Sequence, residues 1–144
     1  MPRVQLSAPD NRYFTSYFDE ELKLYEIVWH EESEKMDEEE YKALMLNDRD
    51  LLTQYYHKVN YIIINLVHRL HTMSPELQDW SSAHISPTFV NHLGVFKVAV
   101  VNSKDFSTQF SIEQALEEDN VTEEMVKIRY FDEEQEARSW LLGL

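Results

Sequence analysis

The chain has 144 residues, of which 43% are hydrophobic and 12% aromatic, so it can build one domain with a substantial core. Its formal net charge of −14 argues against nucleic acid and anionic membranes as partners, and its apolar runs are too short to insert into a bilayer. With no cysteine and only two glycines, it has neither a thiolate site nor a phosphate-cradling loop.

The acidic residues are concentrated in two runs. Residues 19–40 carry a net charge of −9 and residues 113–136 a net charge of −8, whereas residues 41–112 carry +1. We interpret both runs as solvated helix starts and turns, with a docking face for a basic partner as the alternative. Because dense like charge is costly to bury, we expect a partner to contact the near-neutral middle of the chain.

The N-terminal third predicts a flexible segment followed by a β-hairpin. Residues 1–12 contain no apolar run of the kind found in secretory signals, so a cytoplasmic location is expected. Residues 13–19 and 22–30 alternate in polarity across a short acidic turn. They predict two antiparallel strands, the first at a sheet edge, which open a single domain over residues 13–144.

A capping box predicts where the first helix begins. Asp37 can cap the helix and Glu40 can bond back to the cap, and the helix is expected to run to about His57. Its predicted buried face consists of Tyr41, Leu44, Met45, Leu52, Tyr55 and Tyr56. Residues 60–67 are almost continuously apolar and β-branched, which predicts a strand covered on both faces.

Two serine–proline pairs mark the second helix. Ser74 is a good cap and Pro75 a good first helical residue, so the helix is expected to begin there. Ser86 and the proline after it repeat the signal before Gly94, which predicts that the helix breaks into two pieces. Residues 95–101 predict the next buried strand.

The last third of the chain predicts a helix, a strand and a closing helix. The first helix covers residues 104–119, with a second cap at Ser111 as an option, and the strand covers residues 128–131. Asp132 is predicted to cap the closing helix, with Gln135 bonding back to it. The apolar face of that helix consists of Ala137, Trp140, Leu141 and Leu144, and we expect Trp140 to be largely buried against the sheet.

Taken in chain order, the elements are β-β-α-β-α-β-α-β-α. Strands that are reached through helices require right-handed crossovers and parallel pairing. The predicted fold is therefore an α/β domain with a mixed sheet of about five strands. An antiparallel N-terminal hairpin is followed by parallel strands, and four helices flank the sheet.

Three segments resemble the small stand-alone bacterial STAS-like proteins, whose fold is named for sulfate transporters and anti-sigma-factor antagonists. They are Tyr17-Phe-Asp-Glu-Glu in the hairpin, Met73-Ser-Pro-Glu-Leu-Gln-Asp-Trp after the third strand, and residues 127–140. The resemblance extends from Phe14 onward and implies a non-enzymatic regulatory or protein-interaction module, whose partner is another protein or a second copy. It also implies that Ser74 is a phosphoacceptor, although the antagonists' Asp-Ser-Ser-Gly type signature is absent.

In open α/β sheets, ligands gather beyond the carboxyl ends of the parallel strands. The residues predicted to form a rim there for a partner or ligand are His68, His71, Ser74, Trp80, Asn102 and Phe106. A metal-dependent hydrolase is an alternative, with His30, His68, His71 and Asp105 as ligands. Because His-x-x-His in a loop is a weak signal, we expect no metal and no cofactor.

A pocket for a small apolar or lipid-like ligand is a further alternative. Aromatic residues surround the helices that follow the third and fourth strands, namely Trp80, Phe89, Phe96, Phe106 and Phe110. They could line such a pocket. Core packing explains the same spacing and is the interpretation that we favour.

Overall fold

The computed structural model describes residues 3–117 and 126–144. This part of the chain holds six strands: β1 (Val4–Gln5), β2 (Phe14–Asp19), β3 (Leu24–Trp29), β4 (Tyr61–Asn65), β5 (Lys97–Val101) and β6 (Lys127–Phe131). It also holds four α-helices: α1 (Glu38–Leu51), α2 (Pro75–His84), α3 (Phe106–Glu117) and α4 (Glu134–Leu142). A 3₁₀ turn covers Glu31–Lys35, and π-helical segments cover Leu52–Tyr56 and Thr88–Leu93.

The six strands form one mixed sheet in which each strand pairs with the next one in sequence. The pairs β1–β2 and β2–β3 are antiparallel, whereas β3 to β6 are parallel. The predicted mixed sheet is therefore confirmed. The strand beyond the expected five is β1, which lies within the segment predicted to be flexible and takes the edge position that had been assigned to β2. The extent of the domain, residues 13–144, stays a prediction.

The two faces of the sheet are covered unequally. Alternate residues of the parallel strands, such as Tyr25 and Ile62, pack against α1, α2 and α3 in the larger apolar cluster. The intervening residues, such as Ile63 and Ala99, pack against α4 alone in the smaller cluster. Both faces of β4 and β5 are thus covered, as a near-continuous apolar strand requires.

Local signals in the sequence placed several helix ends correctly. Asp37 and Glu40 form the predicted capping box of α1, with hydrogen bonds of 2.7 and 3.0 Å. Ser74 caps α2 by accepting from the amide of Leu77 at 3.1 Å. The predicted break follows α2, and the π-helical segment after it ends at Gly94, whose φ of 93° lies in the left-handed region that favours glycine.

Other predicted helix caps are wrong. Glu133, rather than Asp132, precedes α4, and its side chain makes no capping bond. The carboxylate of Asp132 instead accepts from Asn102, because these two residues follow adjacent strands. Ser111 lies inside α3, where its hydroxyl donates to the carbonyl of Thr108 at 3.0 Å. The last two residues of the helix predicted over 104–119 lie outside the described residues.

Two predicted core residues lie farther out than expected. Tyr55 is 67% exposed because the switch from α1 to the π-helical segment rotates the predicted face. Leu144 lies beyond the end of α4 and is 87% exposed. Trp140 keeps some exposure but packs against the smaller apolar cluster, with its ring against Phe131. Among the described residues, no helix has the length and apolar character needed to cross a membrane.

Candidate functional site

An apolar cavity of about 150 Å³ lies between the sheet and the helices α1, α2 and α3. The sheet supplies side chains from β3 to β6, including Tyr25, Ile62 and Val98. The helices and the loops between them supply the rest, including Met45, Met73, Phe89 and Ile112. Half-buried residues such as Ser82 and Leu116 also line it, which places its approach to the surface between α2 and α3.

Arg69 is the charged residue that lines this cavity. It follows β4 and is only 2% exposed. Its guanidinium carbon lies 4.0 Å from the centroid of Trp29, and Nε donates to the carbonyl of His71 at 3.0 Å. Burial lowers the pKa of Arg69 to about 10, with the nearby Tyr41 opposing the shift. In the described part of the chain, no carboxylate oxygen comes within 4.0 Å of its nitrogens.

His71 is buried beside this guanidinium. Its ring stacks on Tyr41, with centroids 5.8 Å apart, and its Nδ1 lies 3.3 Å from Nη2 of Arg69. Because a guanidinium only donates, Nδ1 accepts and the neutral ring carries its proton on Nε2. Burial, helped by the charge of Arg69, lowers the pKa of His71 to about 4. His71 is therefore a neutral interior group.

Ser74 and Trp80 lie near His71, on α2 and its cap. The hydroxyl of Ser74 donates to Oε2 of Glu38, the first residue of α1. Trp80 is half-buried, and its ring meets that of Tyr41 edge-on with centroids 6.3 Å apart. These two predicted rim residues and His71 thus surround the start of α1.

Asn102 occupies a different region, a polar depression of about 440 Å³ beside α4. Its Nδ2 donates to Asp132 at 3.0 Å, and its Oδ1 accepts from Gln109 at 3.0 Å. Asn65 and Glu134 also line the depression. The side chain of Asn102 is thus engaged in joining the ends of β5 and β6 to α3.

The remaining predicted rim residues are exposed. His68 lies 3.9 Å from Glu31 at the surface. Phe106, at the start of α3, is 82% exposed and stacks on Phe110, which is 55% exposed, with centroids 6.1 Å apart. The six residues predicted as one rim are therefore distributed over three places: the start of α1, the polar depression, and the outer surface of the loop after β4 and of α3.

The proposed metal ligands do not form a cluster. Nε2 of His30 lies 2.8 Å from the hydroxyl of Thr15, His71 is engaged with Arg69, and Asp105 caps α3 through the amide of Thr108. Among residues 3–117 and 126–144, no three histidine, aspartate or glutamate side chains come together as a group that could hold a metal.

The aromatic residues suggested for a pocket are also mostly elsewhere. Of the five, Phe89 lines the cavity. Phe96 is 42% exposed against Tyr61, and the pair Phe106 and Phe110 faces outward. The cavity is lined instead by Tyr25 and Trp29 of β3, by Tyr41, and by aliphatic residues of both the sheet and the helices. Core packing, the interpretation that the sequence favours, is also wrong for Phe96, Phe106 and Phe110, which are exposed.

Most of the chain matches the model of a known protein family. A model of the SpoIIAA-like family matches residues 27–142 of the chain, which includes β4 to β6 and all four helices. The chain belongs to the SpoIIAA-like family. Membership confirms the STAS-like resemblance and indicates, in general terms, a regulatory or protein-interaction role for this SpoIIAA-like protein. No curated protein and no solved structure matches the chain.

Sequence reasoning missed Arg69 in this SpoIIAA-like domain. The residue stands between His68 and Leu70, in a loop where a surface arginine is the ordinary expectation. One signal was available in the sequence, because Arg69 is the only lysine or arginine between Lys58 and Lys97. Arg69 lies four residues after the end of β4.

Proposed function

We propose that this SpoIIAA-like protein is a non-enzymatic regulatory module of the cytoplasm that works by binding another protein. The observation that carries the proposal is the stacked pair Phe106 and Phe110 on the outer surface of α3. Large aromatic side chains are enriched at interfaces, and a stacked exposed pair presents a rigid apolar patch. Family membership supports a role of this general kind.

Charge decides what kind of partner fits. The apolar pair has acidic neighbours, since Asp105 precedes Phe106 and Glu113 and Glu117 follow on the same helix. With a net charge of −14, a second copy of the chain would meet like charge. We therefore propose a different protein that offers an apolar residue flanked by lysine or arginine.

The test compares two variants of the protein, each altered at a different exposed aromatic site. Phe106→Ser together with Phe110→Ser removes the patch, while Tyr55→Ser removes an equally exposed aromatic ring at the other end of the sheet. In quantitative pull-downs from the native host, the proteins captured by the wild type should be lost by the first variant and kept by the second. Equal capture by both variants, or loss through Tyr55→Ser, would place the binding face elsewhere.

The same pull-down experiment also tests whether the partner contacts the predicted rim or the acidic runs. Neutralising Glu38, Glu39 and Glu40 removes an acidic helix start while leaving the near-neutral middle intact. We expect this variant to keep the partner, because the contact runs through α3 and the predicted rim residue Phe106.

Ser74 as a phosphoacceptor is also part of this proposal. Mass spectrometry of the protein isolated from its host tests whether Ser74 carries a phosphate.

A second function, binding of a small apolar ligand, is favoured by the cavity beneath α2 and α3. At about 150 Å³ the cavity matches the size of an engineered apolar cavity that binds benzene. Benzene added to the protein should shift the methyl resonances of Ile62, Val98 and Ile112, which line the cavity. Ala115→Phe, placed where α3 meets the cavity, should abolish those shifts.

A further inference from the structure

The charge of Arg69 lacks a counterion in the described part of the protein. By contrast, the buried acid Glu26 has its charge paired. It is 4% exposed and contacts both Arg138 and Arg3. Arg69 is buried more deeply, yet its contacts are the ring of Trp29, the ring of Tyr41, and His71. None of these groups is a carboxylate. A buried charge is ordinarily paired, so the part of the site that the structure describes is missing an anion.

Two acids of α1, the helix that packs on this face of the sheet, have other partners. Glu38 is close enough to His71 to influence its protonation, but its carboxylate accepts from the hydroxyl of Ser74. Asp48, on the same helix, accepts from the hydroxyl of Tyr25 at 2.6 Å. Tyr41 and His71 are the other titratable groups that face the guanidinium, and neither is a carboxylate.

The guanidinium keeps donors for a ligand. Two of its five N–H positions are directed to His71, one to the carbonyl oxygen and one to Nδ1, and a further hydrogen bond joins the guanidinium to Tyr41. The ring of Trp29 covers one face, which leaves the edge of the plane for further hydrogen bonds. A planar guanidinium held by stacking is suited to a carboxylate, which it binds through two parallel hydrogen bonds.

The cavity beside Arg69 sets the size of the rest of the ligand. Its wall is apolar and its volume of about 150 Å³ matches a cavity that holds benzene, so a body of about six carbon atoms fits. We propose that this cavity binds a small monocarboxylate, with the apolar body among Ile62, Met73 and Ile112 and the carboxylate paired with Arg69. The inference rests on the proposed ligand-binding function of the same cavity.

The experiment compares carboxylates with neutral amides of the same shape. Benzoate and benzamide form one pair, hexanoate and hexanamide the other, and calorimetry at neutral pH measures the dissociation constants for the full chain. The wild type should bind each carboxylate at least tenfold more tightly than its amide. Arg69→Met should remove that preference, and Arg69→Lys should keep part of it because the charge remains. Arg12→Met, which removes an exposed arginine, is the matched control and should change nothing.

The results test two proposals separately, the ligand-binding cavity and the pairing of a carboxylate with Arg69. Equal binding of carboxylate and amide by the wild type would overturn the pairing with Arg69 while leaving the ligand cavity standing. Binding of neither would overturn both. If Arg69→Met fails to fold, the wild type still decides the matter, because benzoate must shift the methyl resonances of Met73 and Ile112 more strongly than benzamide does. A preference for benzoate that moves only surface resonances would overturn the inference.

Discussion

Ser74 and Glu38 tie the starts of two helices together. Ser74 caps α2 by accepting from the amide of Leu77, and the same hydroxyl donates to Oε2 of Glu38 at the first position of α1. The hydroxyl therefore needs both its donor and its acceptor capacity. A phosphate on Ser74 could still accept from the helix start, but its charge would face the carboxylate of Glu38.

Replacing Ser74 by aspartate tests this relationship. Aspartate is as good a cap as serine, so Ser74→Asp should keep the cap but bring a second carboxylate against Glu38. We expect a loss of about 1 kcal/mol in the free energy of unfolding, measured by urea denaturation. In a Glu38→Gln background the loss should shrink, as a double-mutant cycle will report. Equal losses in both backgrounds would show that the contact with Glu38 has no energetic weight.

The fold was predictable from the sequence because its signals are local. The capping box at Asp37, the pair Ser74 and Pro75, and the apolar run of β4 each require only a few neighbouring residues. The failures occur where a distant partner competes. Asp132 does not cap the helix because Asn102, which follows the neighbouring strand β5, offers its carboxylate a donor. The pairing of β1 with β2 likewise depends on long-range contact rather than on local pattern.

The candidate site was less predictable because it depends on which side chains point into the protein and which point to solvent. The rule that ligands gather at the carboxyl ends of parallel strands directs attention to residues 68–74. The rule does not say which side chains turn inward. It therefore suggests the exposed His68 and gives no reason to choose the buried Arg69. The cavity itself arises from imperfect filling between sheet and helices, which no spacing of residues along the chain records.

The buried His71 should make stability depend on pH. Its pKa is lowered to about 4 in the folded protein, so between pH 6.5 and about 4 the unfolded chain binds a proton that the folded protein does not. The stabilisation present above pH 6.5 is therefore lost as pH falls, by at most about 1.4 kcal/mol per pH unit. His71→Gln should flatten this part of the profile of unfolding free energy against pH. His68→Gln, at an exposed position, should leave it unchanged; identical profiles for the two variants would contradict the burial of His71.

Asp48 should have the opposite dependence. The carboxyl is 1% exposed, and burial raises its pKa above the ordinary 3.8, opposed by the hydrogen bond from Tyr25. Its protonated form is favoured by folding, so that stabilisation is present below pH 3.8 and is lost as pH rises through the folded pKa. Asp48→Asn should therefore stabilise the protein at pH 7, with a gain that vanishes in acid. Asp50→Asn, at an exposed position of α1, is the control, and a loss of stability in Asp48→Asn at pH 7 would show that the ionised hydrogen bond outweighs burial.

The face of α4 that stabilises the fold is set by Leu141 rather than by Trp140. Leu141 is 1% exposed in the smaller apolar cluster, whereas the ring of Trp140 lies at the edge between Phe131 and Lys97. Leu141→Ala should cost about 2–5 kcal/mol of unfolding free energy, as truncations in a packed core do. Trp140→Ala should cost less, about 1–2 kcal/mol, because Trp140 lies at the edge of the cluster and is partly exposed. Leu144→Ala, at a residue that is 87% exposed, is the control and should fall within about 0.5 kcal/mol of the wild type. If urea denaturation shows Trp140→Ala to be as costly as Leu141→Ala, the packed face of the helix is centred on the tryptophan instead.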